Sequence, residues 1–179
     1  MTTPTLPPIS HLALLPTPTQ TTVLSLLFEP SQALHTLLTP LPQSPPFESY
    51  PALISSIRTT LLALATRALT SPPHLHTLEQ ILGSHPRLGE KGVQGQSKGE
   101  QGSLTGDQAE LQRLNARYED AFPGLRYVVF VAGRPLPDIL ADMRARIARG
   151  DIVKEREEAI EAMCAIALDR ASKAAISPV

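Results

Sequence analysis

The chain has 179 residues, enough for one domain with a full core, and its formal net charge of −1 provides no global basic field. Aromatic residues make up 4% and tryptophan is absent, so stacking platforms for single-stranded nucleic acid are few. The single cysteine, Cys164, excludes an internal disulfide or a cysteine-cluster metal site, and beside Met163, Ala165 and Ile166 it reads as a core residue in a reducing compartment.

Eleven of the eighteen prolines lie in the first 51 residues, so the early chain reads as short helices broken by proline. Helices are expected over 19–29 and 31–39, turning Leu24, Leu27, Phe28, Leu34, Leu37 and Leu38 inward. Ser49-Tyr50-Pro51 starts a longer helix, whose Leu53, Ile54, Ile57, Leu61, Leu64, Ala65 and Ala68 form one apolar stripe. Another follows Ser71-Pro72-Pro73 and stops at Gly83. Seven of the ten glycines fall between Gly83 and Gly106, which marks an active-site loop rather than a linker, since neither half alone buries a large core. Thr105-Gly106-Asp107-Gln108 fits a capping box for a helix carrying Leu111, Leu114, Tyr118 and Phe122. The β-prone run 127–131 has no partner strand and is expected as a buried extended segment. Pro137 opens a helix that Gly150 ends, and Asp151 caps a last one running to about Lys173. The expectation is an all-α domain spanning 1–179.

Chemistry concentrates in the Gly-rich loop. His85 stands before Pro86, just past a helix end whose partial negative charge favours a protonated imidazole. Ser97, Glu100 and Gln101 follow; a carboxylate beside an amide can hold a urea-like ligand by accepting from its N–H groups and donating to its carbonyls. An arginine could grip a carboxylate with two parallel hydrogen bonds, and Arg87, Arg134, Arg146 and Arg170 are all open to that role. His74 and His76, two apart on a helix, do not face one another as metal ligands would. The loop lacks a phosphate-loop order of residues, and no serine sits in a nucleophile elbow. No metal or cofactor is expected.

Ordered short pieces carry a resemblance over nearly the whole chain. They are Leu6-Pro7, Phe28-Glu29-Pro30, His85-Pro86-Arg87-Leu88-Gly89, Ser97-x-x-Glu100-Gln101, Leu114-Asn115 with Tyr118 and Phe122, Tyr127-Val128-Val129-x-Val131-x-Gly133-Arg134, Arg146-Ile147, and Glu158 leading to Ile166 and Arg170. The set resembles the decarboxylases of 2-oxo-4-hydroxy-4-carboxy-5-ureidoimidazoline (OHCU) in urate breakdown, particularly the fungal form. The chain departs from that pattern at Pro123-Gly124, Arg149-Gly150 and Asp169. The resemblance implies an all-α, cofactor-free homodimer that converts OHCU to (S)-allantoin and CO2. It assigns catalysis to His85 and Glu100, and substrate binding to Pro86, Ser97, Gln101, Arg170 and the backbone of Val128, Val129 and Phe130. A catalytically inactive helical interaction module and a ureide or cyclic-amide hydrolase are the competing readings. No run of residues is apolar for long enough to span a bilayer, and Ser177-Pro178-Val179 is not a Ser-Lys-Leu type address, so a cytoplasmic location is expected, with the peroxisome as the alternative.

Overall fold

In the computed structural model, residues 4–90 and 108–176 are described. They form eight helices and one pair of two-residue strands. In chain order these are β1 (Thr5–Leu6), α1 (Ile9–Leu12), α2 (Thr17–Phe28), α3 (Gln32–Leu38), α4 (Tyr50–Ala68), α5 (Pro72–Leu82), α6 (Gln108–Ala121), α7 (Leu136–Arg149), α8 (Ile152–Lys173) and β2 (Ala175–Ile176). The fold is all-α, as expected. No helix among the described residues is long and apolar enough to cross a membrane.

The described residues divide into two compact units, 4–81 with 164–176, and 82–90 with 108–163; α8 runs through both. In the first, the apolar stripe of α4 is buried in full, from Leu53 to Ala68. Ser49 caps that helix, its hydroxyl accepting from the Ala52 amide at 3.2 Å. Two features were not foreseen: the short helix α1, and a parallel pairing of β1 with β2 that sets Thr5 opposite Ala175 and Leu6 opposite Ile176. Gln20, 2% exposed, closes the Pro-rich entry to this unit. Its amide donates to the carbonyls of Ala13 and Leu15 at 3.2 and 2.8 Å, and its oxygen accepts from Leu41 N–H at 2.8 Å. One polar side chain thus satisfies three backbone groups that burial would otherwise leave without water. Burial pushes the Tyr50 phenol up to about 12, so it stays a donor, and it bonds the Pro7 carbonyl at 2.7 Å.

The second unit follows the expected boundaries closely. Leu111, Leu114 and Tyr118 line one face of α6 and are buried, with Phe122 just beyond its end. Residues 105–107 of the expected capping box lie outside the described residues. The 127–131 segment is neither helix nor strand, and Tyr127, Val128, Val129 and Val131 are all buried. Gly150 ends α7 at φ +65° with its N–H on the Arg146 carbonyl, a conformation that a residue without a Cβ adopts readily. Asp151 then starts α8, its carboxylate accepting from the N–H groups of Val153 and Lys154, each at 3.0 Å.

Candidate active site

His85 stands three residues beyond the end of α5, in the turn Ser84-His85-Pro86-Arg87-Leu88-Gly89-Glu90. Although this stretch reads as a polar loop, His85 is 4% exposed. Two side chains from elsewhere in the second unit hold the turn by its carbonyls. Arg126 donates to the His85 carbonyl at 2.9 Å, and the buried Asn115 amide donates to the Leu88 carbonyl at 2.9 Å. Gly89 shows how closely the turn meets α6: a Cβ there would lie 2.4 Å from Leu111 Cδ2, and its φ is +74°. Only glycine fits both the space and the backbone angle.

Arg87, one of the candidate arginines, is engaged by a carboxylate of α6. It makes a two-pronged pair with Glu119, at 2.6 Å for each bond, on the rim of a cavity of about 570 Å³ lined also by Leu88, Glu90, Asn115 and Asp120. At 48% side-chain exposure, this pair contributes roughly 0–1 kcal/mol.

The 127–131 segment begins directly after Arg126. Tyr127 packs edge-on against Tyr118, with ring centroids 5.4 Å apart, and its hydroxyl reaches Asp142 at 2.5 Å. Burial pushes both phenols well above their ordinary range, so each remains a protonated donor. Beneath them lies a charged network that the sequence did not announce. Glu155, fully buried, accepts from Tyr118 Oη at 2.6 Å, from Arg146 at 3.1 Å and from Arg149 at 3.0 Å. Arg146 also lies 5.0 Å over the Tyr127 ring and 3.1 Å from Asp142. Burial works against the charge on Arg146, but Glu155 and Asp142 outweigh it and hold the guanidinium protonated. At the exposed end, Arg149 grips both oxygens of Glu158 at 2.8 Å, and this hydrogen bonding holds the Glu158 carboxyl below its usual range.

The remaining assigned residues are placed as follows. Pro86 is half-buried in the turn, Val128 and Val129 are buried, and Phe130 is half-buried. The turn and the segment 128–130 are therefore linked within one unit through Arg126. Arg170 belongs to the first unit and is 3% exposed. Its guanidinium donates to the Leu27 carbonyl at 3.3 Å, at the C-terminal end of α2, and to Glu29 at 2.5 Å. Ser97, Glu100 and Gln101 lie outside the described residues.

Among the described residues, no group of three His, Cys, Asp or Glu side chains could hold a metal ion. His74 and His76 instead bond neighbours on or beside their own helix, Ser71 at 2.7 Å and Gln80 at 3.0 Å. Arg126 and Glu155 are the residues that sequence reasoning missed, and the only cue was the position of Arg126 at the head of the β-prone run.

None of the curated proteins compared with the chain matches it. The model of the OHCU decarboxylase family, in contrast, matches residues 14–172. That span takes in the His85 turn, the 127–131 segment and Arg170, and the chain belongs to the OHCU decarboxylase family, whose members are decarboxylases of purine degradation.

Proposed function

We propose that this protein is a cofactor-free carboxy-lyase that converts OHCU to (S)-allantoin and CO2, acting as a homodimer. The observation that carries the reading is the family match over 14–172, together with the buried histidine at its His-Pro step. His85 and Glu100 are its catalytic residues. Pro86, Ser97, Gln101, Arg170 and the backbone of Val128, Val129 and Phe130 bind the substrate.

The chemistry suits these groups. Breaking the C–CO2 bond leaves an electron pair that the neighbouring imine and carbonyl system of the substrate delocalises. A proton must then reach one face of that carbon. His85 manages the substrate hydroxyl proton and the developing charge, which an imidazole can do near neutral pH. Glu100 and Gln101 orient the ureido and ring amides through complementary donors and acceptors. Arg170 neutralises anionic charge.

Stereochemistry tests the reading. OHCU decays unaided to racemic allantoin, whereas proton delivery in a chiral site gives one enantiomer. With urate oxidised and hydrolysed enzymatically in the cuvette, adding this protein should speed loss of OHCU and produce a dichroic allantoin signal. A racemic product formed at an unchanged rate would overturn the assignment. In the same assay, Glu100→Gln should act chiefly on binding, raising KM about tenfold, the scale of one charge-assisted hydrogen bond. An unchanged KM would remove Glu100 from the ligand.

A further inference from the structure

We infer that Arg126 is a positioning residue, a strut that sets the catalytic His85 relative to the ligand-binding segment. This rests on the decarboxylase reading above. Among the described residues, Arg87, Arg144, Arg146, Arg149 and Arg170 each meet a carboxylate. Arg126 forms no ion pair among them, and its guanidinium bonds the His85 carbonyl, 41 positions away in sequence, at a part-buried site.

That carbonyl is an effective handle. Pro86 has no N–H, and its ring fixes its own φ, so the carbonyl oxygen is the only hydrogen-bonding group of the His85–Pro86 peptide. Holding it fixes the peptide plane from which the histidine Cα and its imidazole project. The far end of the turn is fixed independently by Asn115 on Leu88 and by Gly89 against Leu111. The base of the strut is also held, because the next residue, Tyr127, is buried, packed edge-on against Tyr118 and bonded to Asp142. The guanidinium therefore joins the backbone that holds the ligand to the backbone of the residue that handles its proton. A misplacement of about 1 Å between such groups can cost about 10²-fold in rate.

The test compares Arg126→Met, which keeps the stem and removes every donor, with Arg126→Lys, which keeps a charged N–H donor group. Arg126→Met should lower kcat on OHCU at least about tenfold while KM changes by less than about threefold, the pattern of lost geometry rather than lost binding. Arg126→Lys should restore part of that loss. His85 imidazole resonances, assigned by their disappearance in His85→Asn, should shift in Arg126→Met. An unchanged kcat overturns the proposal, as does a loss carried by KM, which would make Arg126 a substrate contact. A loss that follows a fall in melting temperature and that lysine does not rescue also overturns it, as a merely structural role. If the wild-type protein leaves OHCU untouched, the decarboxylase reading fails by itself, and the imidazole resonances decide the strut: unmoved in Arg126→Met, they refute it.

Discussion

His85→Asn is expected to lower kcat about 10²-fold or more, within the range that one placed acid or base supplies. Asparagine keeps a polar side chain of related shape and removes the group that titrates. Because His85 is buried at 4% exposure, the change also carries a stability cost, about 1–2 kcal/mol for trimming a packed polar side chain. For a chain of this size that corresponds to a melting temperature lower by roughly 2–8 °C. The rate effect is far larger than the stability effect can explain, because a protein still folded at the assay temperature keeps nearly all its molecules competent. The rival view is that His85 only fills the space beyond α5. Melting temperature and single-turnover loss of OHCU, measured on one preparation, separate the two. A variant that melts lower and turns over at the wild-type rate would make the histidine structural.

How far the sequence disclosed this architecture depended on whether a residue's partners lie near it along the chain. The stripe on α4, the αL stop at Gly150 and the Asp151 cap are local patterns, and each was legible from spacing and residue type. The β1–β2 pairing was not, since two residues at each end carry no alternation to read. Arg170 is a mixed case. Phe28-Glu29-Pro30 and Arg170 both belong to the resemblance, but only the fold shows that Glu29 and Arg170 bond one another. The clamp of Arg126 on His85 has the same origin, a contact between segments whose separation no periodicity encodes. Glu155 was hidden more completely. Amid Lys154, Arg156, Glu157 and Glu158 it reads as part of a solvated charged face, yet it is fully buried on the one side of α8 that meets Tyr118 and Arg146.

That burial makes Glu155 the position with the largest expected effect on stability. Glu155→Met removes the acceptor from Tyr118 Oη and the fully buried carboxylate from Arg146, whose side chain is 11% exposed. Arg146 keeps Asp142 at 3.1 Å and Glu158 at 3.2 Å, both at the better-solvated end, so its charge is not left wholly alone. The expected loss is therefore about 3 kcal/mol, the lower end of the range for breaking a buried pair from one side. With roughly 2–4 °C per kcal/mol for a protein of this size, the melting temperature should fall by roughly 6–12 °C. Arg146→Met should cost a similar amount, because it leaves the Glu155 carboxylate fully buried with only Tyr118 and Arg149 to answer it. The double variant is the informative one. Replacing both partners removes two desolvation penalties together with their attraction, so its loss should be smaller than the sum of the single losses by about 2 kcal/mol or more. Chemical denaturation of the four proteins, read at constant slope, gives that coupling directly. Additive losses would show that Glu155 and Arg146 do not sense one another.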